Sequence, residues 1–407
     1  MKKTQKRTKT WAIITLFISI SIGIALLPEL NRYGVEKGML ISENEFMYEK
    51  SIHILGMLLI GSGFLMLFIK KYAYTSITTT YLTVALSLPL YMLIRPYLWG
   101  SVGNLSITNI SMLLFAEFAA ASLLVAIGGP LGRINTSQYL LIGLMFTPLY
   151  AINEWLLFSG NLVPQGAFLD TAGSVMISAF GAYFALGMTM MLTSKQEIRI
   201  PIETSKISNE FAMLGGAVSW AFWPSFCSAV VEVNKIPLVA VNTVLALCGA
   251  TLSTYAFTIL LRGGKIEIGD IMNASLAGGV AIGATVANQT PGWAMLIGLI
   301  AGTISVVGFT SIQPRLQRIT GAVDTCGVHN IHGMPGIFGG LVGIGIVAVP
   351  LWQLLGVILS VLFATIMGIA VGFTVSLLGK NEATYDDGEE FEKIDLTGTV
   401  NGAQINP

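Results

Sequence analysis

Charge is scarce in this chain. Of its 407 residues only 11% are Asp, Glu, Lys or Arg, against 54% hydrophobic, and the two signs cancel to a net charge of zero. That balance leaves no basic surface for nucleic acid. The mean hydropathy of +0.74 exceeds what a soluble domain of this size can hide in its core. Cysteine and histidine number three each. Cys227, Cys248 and Cys326 all fall in apolar runs and read as small buried hydrophobes, not as a disulfide or metal framework. His53, His329 and His332 are too few for an intramembrane haem enzyme. Neither a metal, a cofactor nor a catalytic constellation is expected, and no internal polar stretch is long enough to divide the chain into domains.

What the chain has is apolar runs of about twenty residues, the length a helix needs to cross a hydrocarbon layer of roughly 30 Å. Twelve can be drawn: 11–28, 51–69, 75–94, 108–130, 138–159, 169–192, 208–231, 237–261, 269–288, 291–311, 325–349 and 351–379. The expected class is therefore all-α integral membrane with 12 transmembrane helices. Traced from an inside N-terminus, these runs leave every Lys and Arg outside the apolar stretches, 17 on one side and five on the other. The positive-inside rule then places both termini in the cytoplasm. The first run follows "MKKTQKRTKT" and precedes "LLPELNRYG" without a small-x-small cleavage site, so it reads as an uncleaved helix. Residues 1–380 form one membrane domain. Residues 381–407 are acidic and polar, and read as a flexible cytoplasmic tail that could dock a regulator.

Two stretches repeat a pattern: "DTAGSVMIS" at 170–178 and "DTCGVHNIH" at 324–332. Each opens on Asp-Thr, has Gly fourth and Ile eighth, and ends on a polar side chain, Ser178 or His332. They lie in the sixth and eleventh runs, an odd offset of five that gives the copies opposite membrane orientations. That predicts an inverted repeat of 5+5 helices with the functional site between the halves. Asp170 and Asp324 stand where helices start, so each can act as a cap, a role compatible with placing whatever lies two turns deeper. Eight residues is roughly 12 Å along a helix, which puts Ser178 and His332 at the same mid-membrane depth. Glu117, Glu154 and His329 are further ionisable groups in the apolar segments, with Glu210 and Asp270 close to helix ends. Pro224 beside Phe226 suggests a kink next to a cavity.

The residues that carry these readings resemble a known family. "DTCGVHNIHGMPGIFGGLVG" is similar to the signature of the Rh branch of the ammonium transporter/Rh superfamily. "NEFMYEKSIHILGMLLIGSGFLM", "INEWLLF", "DTAGSVMISAFGAYFAL", "FAMLGGAVSWAFWPSF", "IMNASLAGGVAIGA" and "ISVVGFTSIQPRLQ" resemble its other segments in order, over roughly residues 45–350. The resemblance implies an inverted repeat plus an extra N-terminal helix and a long last helix, a narrow apolar pore in each subunit and a homotrimer. It further implies an outer gate of two phenylalanines, Phe118 and Phe226, above a pair of pore histidines. The second of these maps onto His332; the first maps onto Ser178, a departure inside the pore. Asp170 matches the vestibule aspartate, Glu154 and Asp324 match other acidic positions, and Cys227 stands where Asn is common.

Such a pore would pass an uncharged solute and refuse its cation, because stripping water from a charge costs several kcal/mol more. Ammonia, ammonium or methylammonium is the substrate the resemblance implies, with the plasma membrane as location and the lipid bilayer as surroundings. Two alternatives stand beside it: a channel for carbon dioxide or another small neutral gas, and a non-conducting ammonium sensor or regulatory subunit in which loss of the first histidine has disabled transport.

Overall fold

A computed structural model describes residues 43–100, 109–379 and 383–391, with residue 13 and the pairs 399–400 and 403–404. Apart from one pair of two-residue strands at Thr399–Val400 and Ala403–Gln404, the regular elements among the described residues are helices. These are α1 (Glu45–Phe68), α2 (Ala73–Trp99), α3 (Ile110–Gly128), α4 (Thr136–Phe158), α5 (Ser174–Leu192), α6 (Lys206–Cys227), α7 (Val233–Leu261), α8 (Ile268–Ile282), α9 (Pro291–Thr320), α10 (329–345) and α11 (Pro350–Ser376). Among the described residues eight are long and apolar enough to cross a membrane; α6, α8 and α10 complete the bundle as less apolar, shorter or interrupted helices. The first predicted run, 11–28, lies outside the described residues.

Within hydrocarbon every polar group needs an internal partner. In α2 the run "TSITTTYLT" meets this need locally: the hydroxyls of Thr79, Thr80 and Thr83 donate to the carbonyls four residues earlier. Glycine supplies close approach between helices. Gly187 and Gly368 set α5 against α11, and Gly249 and Gly298 set α7 against α9, each with the partner's backbone where a Cβ would stand.

The two repeated stretches build the same object. Gly173 and Gly327, fourth in each, take the left-handed conformation with φ of +76° and +69°. This turns the chain so that the aspartate three residues back reaches the start of the next helix. Asp170 accepts from the backbone N–H of Val175 and Met176 at 3.0 and 2.7 Å, and Asp324 from Val328 and His329 at 3.0 and 2.8 Å. Each turn then lays two N–H groups on carbonyls of a distant helix end. Thr171 and Ala172 donate to Ala284 and Gly283 after α8, at 3.1 and 2.9 Å; Thr325 and Cys326 donate to Gly129 and Gly128 at the end of α3, at 3.0 and 3.2 Å. Cys326 thus sits in a turn and not in a helix as its apolar run suggested.

Arg133 fixes which face each turn occupies. Fully buried, its guanidinium donates to the carbonyls of Gly129 and Val323 and to the hydroxyls of Thr193 and Thr325. Since Thr193 follows α5, the far end of α5 lies beside the Asp324 turn, and Asp170 is on the opposite face. Burial pushes the Arg133 guanidinium below its ordinary range, with Tyr385 and Glu197 nearby acting the other way.

Of the extension expected after residue 380, residues 383–391 lie against the Arg133 face. Tyr385 and Asp387 donate their N–H groups to the carbonyls of Gly132 and Lys71 at 2.7 and 2.9 Å. The Asp387 carboxylate accepts from Thr75 at the start of α2, and Glu390 from Thr136 at the start of α4, as acids do at the positive end of a helix. Arg95, which the sequence reading left outside the runs, is inside α2 and buried, because α2 continues to Trp99.

The turns yield a stability prediction. Gly327→Ala forces a Cβ into the left-handed region and into the Phe309 ring, whereas Gly166, with φ of +75°, has open space around it. Thermal unfolding of the purified protein is expected to show Gly327→Ala destabilised by ~2–4 kcal/mol and Gly166→Ala by ~1 kcal/mol. Equal losses would remove the packing component.

Candidate functional site

Both half-helices begin with a widened π-type turn, Ser174–Ala179 in α5 and His329–Gly333 in α10. Such turns shift the angular position of the side chains they carry and recur at functional sites. Here they carry Ser178 and His332. The Ser178 hydroxyl lies 3.4 Å from His332 Nδ1, at the long limit of a hydrogen bond.

The pair lines a cavity of about 80 Å³ bounded mainly by apolar side chains, among them Leu58, Leu124, Val125, Ile177, Leu276 and Ile331. Its other polar side chains are Ser62, Ser219 and Asn273. By the same measure a single water needs about 10–15 Å³, so the space admits several small molecules. Phe226 lines the cavity at the end of α6, and Phe118 in α3 packs on it with ring centroids 4.8 Å apart. The helix carrying Pro224 ends one residue after Phe226, so the expected kink is a helix terminus. At the Arg133 face the cavity shares Phe68, Asn273 and Cys326 with a wider one of about 240 Å³, lined also by Arg262, Glu267 and Asp270.

The acids divide by environment. Asp324 uses both oxygens on backbone N–H groups; Asp170 uses Oδ2 alone, leaving Oδ1 buried without a hydrogen bond. Glu154 is away from the cavity lining. It accepts from the Tyr91 hydroxyl at 2.5 Å and from Arg95 at 3.5 Å, all three buried. Glu117 accepts from Ser51 at 2.6 Å. His329 donates its backbone N–H to Asp324, and its ring nitrogen Nε2 is 3.3 Å from the Tyr183 hydroxyl, so it serves α5–α10 packing and not the cavity.

Several lining residues are not singled out by the sequence pattern, Ser62, Ser219, Asn273 and Trp223 among them. Trp223 stacks beside His332, centroids 6.4 Å apart and planes 20° from parallel, and lies 6.4 Å from Phe226. Its signal was present in "WAFWPSF": Trp223 and Phe226 are three apart, the spacing that puts two side chains on one helix face.

The geometry predicts one-sided thiol access. In a Cys248→Ser background, a small membrane-impermeant thiol reagent should label Cys326 when applied from the face carrying residues 129–135. Labelling from the opposite face should be at least ~10-fold slower, since burial behind two aromatic rings governs access. Equal rates from both faces would mean the rings do not obstruct the cavity.

The chain matches the Ammonium Transporter Family profile over residues 13–395. It is 35% identical to the mouse (Mus musculus) ammonium transporter Rh type B over 315 residues, 75% of this chain and 68% of that protein. With the Xenopus tropicalis Rh type B it shares 34% over 391 residues, covering 86% and 81%. Among solved structures it is similar to Rh50 of Nitrosomonas europaea, described with the mechanism of conduction by the Rhesus protein family of channels: TM-score 0.84, 44% identity, 86% of this chain and 93% of that one. A structure described as a sensor Amt protein shares the fold at 20% identity and a TM-score of 0.70, over 82% and 92%. With the paired aspartate turns, the Phe118 and Phe226 rings packed at 4.8 Å and these matches together, the chain belongs to the ammonium transporter family, in its Rh branch.

Proposed function

We propose that the chain is a membrane channel, not an enzyme, that conducts ammonia, and more slowly methylamine, through the cavity between Phe226 and Cys326. The carrying observation is the cavity itself: about 80 Å³, mostly apolar, with Ser178 and His332 meeting inside it. An ammonium ion entering would exchange its hydration shell for apolar walls, at several kcal/mol; ammonia loses far less. The proton therefore stays behind at the Phe118/Phe226 gate. Ammonia arriving at mid-depth exchanges hydrogen bonds with His332 and Ser178, its nitrogen accepting from one and its hydrogens donating to the other. Ser178 replaces a pore histidine of the family, and its smaller side chain leaves room for a water or a methyl group.

The reading extends to architecture. The twinned turns, each seated on the other half's helix end, support an inverted 5+5 repeat of α1–α5 and α6–α10, with Asp170 and Asp324 setting the helix starts on opposite faces. A twelfth helix would precede α1, α11 is the long last helix, and three subunits would assemble as a homotrimer in the plasma membrane. The 17-to-five division of basic residues supports a cytoplasmic location for the Arg133 face and both termini. Residues 1–380 are the membrane domain, and 381–407 the segment available to a cytoplasmic regulator.

Flux into proteoliposomes after a pH jump tests the reading. Ammonia should enter faster than in empty vesicles. Carbon dioxide entering faster in its place would favour a gas channel; no enhanced flux of either, together with a partner protein bound after residue 380, would favour the sensor. Ser178→His narrows the lumen and is expected to lower the methylamine-to-ammonia flux ratio about fivefold, the equivalent of one hydrogen bond of ~1 kcal/mol. An unchanged ratio would remove Ser178 from the conduction path.

A further inference from the structure

Arg95 is a buried cation for which fold stability gives no account. Its acid partner is loosely held, with one guanidinium nitrogen 3.5 Å from Glu154 Oε1, and its Nε is buried without a hydrogen bond. Apolar residues of similar volume often hold such a position as well or better. What holds the guanidinium instead is aromatic: it lies 4.3 Å from the ring centroid of Phe115 and 4.8 Å from that of Trp99. A planar cation over a ring face restrains that ring's tilt. Tyr91, donating to the other oxygen of Glu154 at 2.5 Å, fixes the acid in turn.

Phe115 is three residues before Phe118 on α3 and meets it edge-on, centroids 6.4 Å apart and planes at 83°. Phe118 meets Phe226 at 4.8 Å, Phe226 meets Trp223 at 6.4 Å, and Trp223 lies over His332 at 6.4 Å. An unbroken file of rings thus leads from Arg95 to the middle of the cavity. Neither Arg95, Glu154 nor Phe115 lines that cavity. Phe118 is the point where the file reaches the obstruction, and its swing is limited on one side by Phe226 and on the other by Phe115.

We propose that the Arg95–Glu154 pair is a positioning device for the aromatic gate, acting through Phe115 on Phe118, so that an ion pair the substrate never touches sets the pore's discrimination between ammonia and methylamine. The pair holds Phe115, Phe115 holds the tilt of Phe118, and the tilt fixes the width of the aperture beside Phe226. A gate held narrow passes ammonia and retards the bulkier amine; a gate freed to swing loses that distinction. The inference rests on the conduction reading above.

The experiment compares wild type, Arg95→Lys, Glu154→Gln, Phe115→Leu and the Arg95→Lys/Phe115→Leu double variant in proteoliposomes. Methylamine and ammonia flux are both measured per reconstituted molecule, and assembly is checked by gel filtration. Arg95→Lys keeps the charge and loses the flat face. Each single variant should raise the methylamine-to-ammonia ratio roughly two- to fivefold, the scale of one cation–π contact. The double variant should match Phe115→Leu alone, because both changes break one route. A purely structural role would lower both fluxes together and leave the ratio where it was. Should the charged-site variants not assemble, Phe115→Leu carries the test. A wild-type ratio in the assembled variants, or additive effects in the double, would overturn the positioning role. Wild-type vesicles that conduct no ammonia would instead overturn the conduction reading.

Discussion

A helix that begins within a membrane presents backbone N–H groups to a medium that offers no hydrogen bonds. This constraint shapes the centre of the molecule. The two half-helices α5 and α10 need acceptors at their starts, and the chain supplies an aspartate on each, brought within reach by a left-handed glycine. The same turn leaves two more N–H groups pointing away, and these are matched by the carbonyls at the ends of α8 and α3. Capping, helix placement and the joining of the halves are one solution, and the depth of Ser178 and His332 follows from it.

Most of the bundle was legible because apolar length is a strong signal: eleven of the twelve drawn runs coincide with described helices. The Asp-to-polar spacing was legible too: Asp170 and Asp324 each cap a helix start, and Ser178 and His332 lie 3.4 Å apart. Other features needed the third dimension. That Thr171 meets Ala284 while Thr325 meets Gly129 cannot be read from either stretch alone, because the acceptors are backbone carbonyls that carry no residue signature. Arg95 was misplaced because a charge was taken as the end of a run, when Glu154 and two ring faces allow the helix to continue for another turn. Trp223 was passed over because a tryptophan in a membrane helix is ordinary until its ring is found over a histidine. The acidic tail was read by composition as free, whereas Asp387 and Glu390 find helix starts to cap.

Polar chemistry is sorted by position in this fold. Next to the cavity the side chains are neutral hydroxyls, one amide and one imidazole, groups that exchange hydrogen bonds with a small solute without binding it tightly. The strong charges are set behind this lining: Arg133 beneath the Asp324 turn, and Arg95 with Glu154 behind the Phe115 and Phe118 rings. A fixed charge on the wall itself would attract one ion and trap it, which would work against the proposed passage of a neutral molecule.

The mutual seating of the two turns also bears on how the molecule comes into being. When residues 170–176 first leave the ribosome, the carbonyls that Thr171 and Ala172 require are still to be synthesised, 113 residues downstream in the case of Ala284. The Asp324 turn, by contrast, finds its acceptors at Gly128 and Gly129 already in place. The Asp170 turn must therefore wait open until the end of α8 has been made, so the cavity is among the last features to form.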